Sequence, residues 1–338
     1  MKSLLFTFTL GISVCSWANQ DLLHLSIHAK SQHSSYSAWE QDQLNPTQLI
    51  TELARASIRK KTKDHLCKDL LSLSSAELAH FADGIESNLL LQTFACYEQL
   101  NQRIDAYYTR KNIPLSNGDR FGPATTKTLE AAEGLRVVDA DLSSGEIALT
   151  FDDGPHGTRT PKLLEILKNE NLKVNFFTVG QNAQRHHQII KDAAKAGHII
   201  GNHSWDHPDM RRLDTKDALA QIHRTFDLLH RLLGSIHLFF RFPYGAHTSS
   251  LRNGLDRTKT FEFFWNIDTW DWKYPDPDFL LDYALKQVDQ AGKGVVLFHD
   301  IQRQTIAIMP EFLRELKRRG YKPVLLVSET HDQVPLFQ

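Results

Sequence analysis

Two adjacent carboxylates, Asp152 and Asp153, stand in the run Thr150-Phe151-Asp152-Asp153-Gly154-Pro155-His156, where an apolar stretch stops and turn-forming residues begin. Ionisable groups at the end of a strand are where enzymes built on parallel sheets do their chemistry. Further on, His203-Ser204-Trp205-Asp206-His207 offers two imidazoles at i and i+4, a spacing that one helical turn would bring to the same side. Two imidazoles and one carboxylate are a common zinc set with a position left open for water, and a bound dication lowers that water's pKa toward about 7. Asp153 with His203 and His207 would form the set, leaving Asp152 to take a proton from the water; spacing alone leaves the order of the two aspartates open. Attack on an amide also needs an acid for the departing amine, and His299 is the natural candidate because imidazole titrates near neutrality. Arg241 would hold the base carboxylate, and in the turn Arg241-Phe242-Pro243-Tyr244-Gly245 the backbone N–H of Tyr244 would help to stabilise an oxyanion. Each feature alone has a plainer reading: paired aspartates solvate turns and cap helices, and histidine pairs recur by chance in a chain with 17 of them. Their conjunction at strand ends is what points to a hydrolytic metal site.

The elements that must carry these groups begin at about Leu142. Short apolar runs at Glu146–Phe151, Val174–Val179, His198–Asn202, Leu238–Phe242, Phe263–Ile267, Gly294–Phe298 and Pro323–Val327 read as seven strands. Helical stretches at Pro161–Asn169, Gln188–Ala196, Thr215–Leu233, Asp278–Ala291 and Pro310–Arg319 alternate with them, the last stopped by Gly320. Alternation implies parallel pairing, as a βα barrel or an open sheet, with the carboxyl ends of the strands converging on one mouth. Asp152 and Asp153, His203, Arg241, Asp268 and Asp271, and His299 with Asp300 all fall at such ends.

The rest of the chain narrows the classes. Its 338 residues are 41% hydrophobic, and 39 basic against 40 acidic residues give no electrostatic reason to expect nucleic acid or an anionic membrane as partner. Met1–Ala18, with Lys2, an apolar stretch from Leu4 to Val14 and Ser16-Trp17-Ala18, reads as a cleaved export signal, which sends the mature protein to the periplasm or outside the cell. Cys15 as a lipid acceptor is the alternative, poorly served by the bulky Val14. No later run is apolar enough to span a membrane. Cys67 and Cys96, an even pair in an exported chain, favour a disulfide over two buried thiols. Residues 19–114 carry helical spacing and read as a small helical domain, 115–141 as a linker rich in turn formers, and 142–338 as the catalytic domain.

From about Glu146 to Val327 the sequence resembles the polysaccharide deacetylase family, the NodB-homology domains also classed as carbohydrate esterase family four. The motifs that carry the resemblance are Thr150-Phe151-Asp152-Asp153-Gly154, His203-Ser204-Trp205-Asp206-His207, Arg241-Phe242-Pro243-Tyr244-Gly245, Asp268-Thr269-Trp270-Asp271-Trp272 and Leu297-Phe298-His299-Asp300. The resemblance implies a distorted βα barrel and a divalent metal, zinc first and Co2+, Ni2+ or Mn2+ as alternatives, on Asp153, His203 and His207. It makes Asp152 the base and His299 the acid, with Arg241 orienting the base and Asp271, or else Asp268, tuning the acid. Leu297 and Trp272 would line a pocket for the acetyl methyl, with Tyr244 at the oxyanion. The activity implied is removal of acetyl from N-acetylglucosamine in a polymer. Peptidoglycan is favoured by the export signal and by a weak resemblance of Gly118 to Thr125 to a peptidoglycan-binding repeat. Chitin oligomers, O-acetylated xylan and a non-catalytic glycan-binding role are the alternatives. Trp205, Trp270, Trp272 and Tyr274 are candidates to stack on sugar rings.

Overall fold

A computed structural model describes residues 67, 70–80, 92, 94–109 and 120–329. The expected export signal at 1–18, the helix expected at Pro46–Lys60 and the second half of the one expected at Ser75–Asn88 lie outside the described residues. The chain divides into two compact units, Met1–Thr109 and Arg110–Gln338.

In the first unit, helices α1 (Ser75–His80) and α2 (Tyr97–Thr109) are described. Leu100, Ile104 and Tyr108, at four-residue spacing, form the buried face of α2. The Arg103 guanidinium donates to the carbonyl oxygens of Leu71 and Leu73, and Tyr108 Oη to that of Ala79. Cys67 and Cys96 are joined by a disulfide with their Cα atoms 5.6 Å apart.

The second unit is a parallel α/β fold. Its strands are β1 (Thr125–Leu129), β2 (Arg136–Val137), β3 (Glu146–Asp152), β4 (Asn175–Thr178), β5 (Ile199–Asn202), β6 (Phe239–Phe240), β7 (Phe261–Phe263), β8 (Ile267–Asp268), β9 (Gly294–His299) and β10 (Lys322–Ser328). Between them lie α3 (Arg159–Asn169), α4 (Gly180–Arg185), α5 (His187–Lys195), α6 (Thr215–Leu233), α7 (Ser249–Arg257), α8 (Pro277–Ala291) and α9 (Arg303–Arg318). The ladder runs β8–β9–β3–β4–β5–β6–β7–β2, every pair parallel. Its members β7 and β8 are neighbours in sequence but not in the ladder, so the sheet is not closed by hydrogen bonds there. Strand β3 is paired with β9 along one edge; its other edge takes β10 at Glu146 and Ile147 and β4 from Thr150 onward. Where β10 leaves β3, the Asn175 side chain donates to Leu326 O (2.8 Å) and accepts from Leu326 N (3.2 Å), standing in for the missing ladder bonds.

Both faces of β3 are buried, which is why it reads as a continuous apolar run. Ile147, Leu149 and Phe151 join the core beneath the helices, while Ala148 packs with Phe177, Phe263 and Val295 on the other face. By alternation Thr150 and Asp152 share the face of Ala148.

The structure departs from the expected elements in four places. Residues 125–137, read as linker, supply β1 and β2, paired with β10 and β7; β1 is mostly exposed and polar, so it lacks the apolar signal of a buried strand. The run expected as one strand at Phe263–Ile267 is two strands with residues 264–266 between them. Helix α9 starts at Arg303, and Pro310, read as its beginning, lies inside it; a proline forfeits a single backbone bond when packing holds the rest. Finally, α4 and α7 have no counterpart among the expected elements, being short and low in apolar residues.

His198, 4% exposed at the head of β5, accepts a bond from Val174 N at Nδ1. Burial, with Lys173 nearby, lowers it to about 3. It therefore stays neutral when folded, whereas the unfolded chain takes up a proton below its ordinary value. The stability it permits is fully present above about pH 6.5 and is lost as pH falls from there toward 3. By pH 5 the loss amounts to about 2 kcal/mol. The His198→Asn variant should show a shallower fall in urea midpoint between pH 7 and pH 5 than the parent; equal slopes would remove His198 from this role.

Candidate active site

The carboxyl ends of β3, β5, β6, β8 and β9 bring the expected polar residues together, and the chain achieves this with unusual backbone. Asp153, Ser204, His207, Tyr244 and Trp270, none of them glycine, all have positive φ, between 53° and 76°. Such residues persist only where surroundings over-determine them, and here they lie in the loops that follow β3, β5, β6 and β8. The turn after β3 needs Gly154, because a Cβ there would collide with the buried Asp300 carboxylate. Thr160 Oγ1 donates to that carboxylate, and burial, with the Asp153 charge, raises it to about 7.

Asp153 Oδ1 lies 3.4 Å from His203 Nε2 and 3.2 Å from His207 Nε2. That oxygen is buried and has no hydrogen-bond partner. One donor atom from each of the three residues falls within 4.8 Å of the others. His203 Nδ1 lies 2.8 Å from the Arg241 carbonyl oxygen, to which it donates, so its Nε2 carries the lone pair toward Asp153. Burial, with His207 and Arg241 adding to it, lowers His203 to about 3, so the ring is neutral near pH 7. An orphaned carboxylate oxygen facing two imidazole nitrogens fits a dication.

His203 and His207 do not meet by a helical turn, as their spacing predicted. Residues 203–207 form a bent loop with positive φ at Ser204 and His207, and the ring centroids lie 4.9 Å apart. The reason is side-chain capture of the loop backbone: Asn202 Oδ1 accepts from Ser204 N (2.8 Å) and Ser204 Oγ from His207 N (3.1 Å).

Asp152 is 2% exposed beside this set, its Oδ2 3.6 Å from His203 Nε2. Its Oδ1 accepts from the Arg241 guanidinium at 2.7 Å. Arg241, fully buried, also donates to Thr150 Oγ1 (2.8 Å) and Phe264 O (2.9 Å) and lies over the Phe177 ring. Burial pushes the Asp152 carboxyl up while Arg241 pulls it back. A carboxyl raised above its ordinary value is a stronger base, suited to accept a proton.

At the end of β9 His299 Nδ1 is 2.7 Å from Asp271 Oδ1, and Asp271 Oδ2 accepts from His299 N (2.7 Å) and Thr305 Oγ1 (2.5 Å). Burial disfavours the charged ring, but Asp271, with Asp153 and Asp152, outweighs it and lifts His299 to about 10. Asp271 and not Asp268 is therefore the carboxylate on His299; Asp268 accepts from Trp270 N and Trp265 Nε1 instead. His299 Nε2 stands 4.0 Å from Asp153 Oδ2.

Tyr244 is 67% exposed with its ring edge-on to His207, and Trp272 is 56% exposed, while Leu297 is 3% exposed within β9. Trp205, expected among the sugar-stacking aromatics, is 6% exposed beneath the Arg224 guanidinium, a core position that the apolar contacts of α6 impose. Trp270 stacks on Tyr283 and lies close to Tyr274. Sequence reasoning passed over Thr150, Thr305 and Gln304, whose Nε2 donates to Asp271 O. Thr150 was legible, two residues before Asp152 on the same strand face; the other two were hidden because α9 was expected to begin after them.

Residues 139–260 match the polysaccharide deacetylase family. A peptidoglycan-N-acetylglucosamine deacetylase of Bacillus cereus is 34% identical over 193 residues, which cover 55% of this chain and 68% of that protein. A chitooligosaccharide deacetylase of Azorhizobium caulinodans is 32% identical over 160 residues, 47% of this chain and 75% of that protein. Among solved structures, a peptidoglycan deacetylase of Bdellovibrio bacteriovorus aligns with a TM-score of 0.76 and 32% identity over 92% of this chain and 95% of that one.

Proposed function

The chain belongs to the polysaccharide deacetylase family, hydrolases of N-acetyl groups, and from that premise we propose that it removes acetyl from N-acetylglucosamine residues of peptidoglycan. The observation that carries the catalytic reading is the orphaned Asp153 Oδ1 between two imidazole nitrogens, flanked by Asp152 on Arg241 and His299 on Asp271. The substrate reading rests on relatives named as peptidoglycan deacetylases.

Asp153, His203 and His207 would hold the metal, zinc first. A dication held there supplies a Lewis acid for the acetyl carbonyl and makes water a stronger acid. Asp152, oriented by Arg241, takes the proton as the water oxygen bonds to the acetyl carbon. The Tyr244 N–H lies on the turn that would face the oxyanion. His299 gives the proton from Nε2 to the amine as the carbon–nitrogen bond breaks, releasing acetate and the free amino sugar. Asp271 holds His299 through Nδ1, so that Nε2 is the nitrogen presented to substrate. Leu297 and Trp272 would flank the acetyl methyl, and Trp272, the more exposed, would also reach the neighbouring sugar. The Cys67–Cys96 disulfide supports export to an oxidising compartment, periplasmic or extracellular. Among the described residues no helix is long and apolar enough to cross a membrane.

The chitooligosaccharide deacetylase relative favours a second reading, action on chitin oligomers. Acetate release from purified peptidoglycan and from chitin oligomers, measured in parallel, separates the two. We expect release from peptidoglycan that falls at least tenfold on chelation and returns with Zn2+. Faster release from chitin oligomers would favour the second reading, and release unaffected by chelation would overturn the metal-dependent mechanism.

A further inference from the structure

The three candidate metal ligands are not held alike. His203 is fixed through its own ring by the Arg241 carbonyl. Asp153 rides on the end of β3, where its N–H donates to Phe177 O and its carbonyl accepts from Asn182 Nδ2. Apart from the Asp153 carboxylate that it faces, the His207 ring has no hydrogen-bonding neighbour among the described residues, and its side chain is 24% exposed. Beyond its ring contacts with Tyr244 and His203, its position is set by the backbone of the 203–207 loop, which carries positive φ at two non-glycine residues and must be restrained from outside.

The restraint comes from α6. Gln221 Oε1 accepts from two consecutive loop N–H groups, those of Trp205 (2.9 Å) and Asp206 (3.1 Å). One residue on, the carbonyl oxygen of Ile222 accepts from Asn202 Nδ2 (2.8 Å), and the same Asn202 side chain holds Ser204 N. From the other side the loop carbonyls of Ser204 and Trp205 accept from Gly180 N and Gln181 N (both 2.9 Å). The loop N–H groups at 205 and 206 have Gln221 as acceptor, and both precede His207 directly.

We infer that Gln221 is a positioning residue for the metal centre, holding the 203–207 loop so that His207 Nε2 faces Asp153. The inference rests on the metal reading of Asp153, His203 and His207. It makes a chemical demand on position 221: an acceptor oxygen at the length of Gln, with no need for its amide nitrogen. Glu meets that demand; Met fills the same space without it, and Ala removes both.

Co2+ titration of the metal-free protein, followed by the visible absorption of the bound ion, tests it. Gln221→Met and Gln221→Ala should weaken Co2+ binding about 10- to 100-fold, in the range that loss of an outer partner costs metal sites. Gln221→Glu should bind within about threefold of the parent, since the partner oxygen is retained. The thermal midpoints of the metal-free proteins are recorded alongside, and Met at 221 keeps the helix favourable. If the parent takes up no Co2+, the metal reading itself fails. If the parent binds and the Met and Ala variants bind equally well, or the Glu variant is as weak as they are, the role of Gln221 is overturned.

Discussion

Replacing Asp152 by Asn should lower turnover about 10²- to 10⁴-fold while metal content stays at the parent level, the loss expected for removal of a general base. The separation comes from geometry. Asp152 Oδ1 is spent on Arg241, and the candidate metal set of Asp153, His203 and His207 is complete without it. Asn can keep its carbonyl oxygen on the Arg241 guanidinium and place its NH2 where Oδ2 stood, so the fold is retained and only the proton acceptor is lost. Acetate release at saturating substrate, with metal measured on the same sample, checks it. Turnover within about tenfold of the parent in a fully metallated variant would mean that another group takes the proton, and equal loss of metal would return Asp152 to the ligand set.

Arg241→Met is expected to have the largest effect on stability, about 3–5 kcal/mol, because it leaves a buried carboxylate without its partner. For a domain of this size that lowers the thermal midpoint by roughly 10 °C. The guanidinium is fully buried, donates to Thr150, Asp152 and Phe264, and has no replacement among the groups around it. Without it, burial raises the Asp152 carboxyl with only His299 and His207 to oppose it, the direction it already takes in the parent. A carboxyl with a raised folded pKa destabilises most where it should be ionised, so the deficit relative to the parent should be larger at pH 8 than at pH 5. The double variant Arg241→Met with Asp152→Asn removes the stranded charge and should recover much of the lost stability, since a missing pair costs less than half of one. Denaturant unfolding of the four proteins decides: an Arg241→Met variant as stable as the parent would mean that the pair contributes nothing.

Much of this site was legible because strands buried on both faces leave apolar runs, and the residues just beyond each run line the mouth. Asp152, Arg241 and His299 could be placed from that pattern alone. The misreadings had local physical causes. The i, i+4 spacing of His203 and His207 suggested a helix, but Asn202, Ser204 and Gln221 take the loop's N–H groups and bend it, and the spacing brings the rings together by another path. Pro310 hid the first two turns of α9, and with them Gln304 and Thr305, which hold Asp271. The polar strand β1 carried no apolar signal because one edge position is all it occupies. The choice between Asp268 and Asp271 needed the 2.7 Å contact to His299, which no spacing encodes.

In the β3–β9 ladder Asp152 stands directly opposite His299. That pairing also sets an order of events during synthesis. Residues 147–152 have no neighbour on that edge until residues 294–299 exist, and the other edge waits in part for Lys322 and Pro323. Contacts so far apart in sequence close slowly, since the intervening chain must be gathered first. The chain emerging from the ribosome therefore cannot complete its central strand, or bring Asp152 and His299 together, until residues 294–299 have been made.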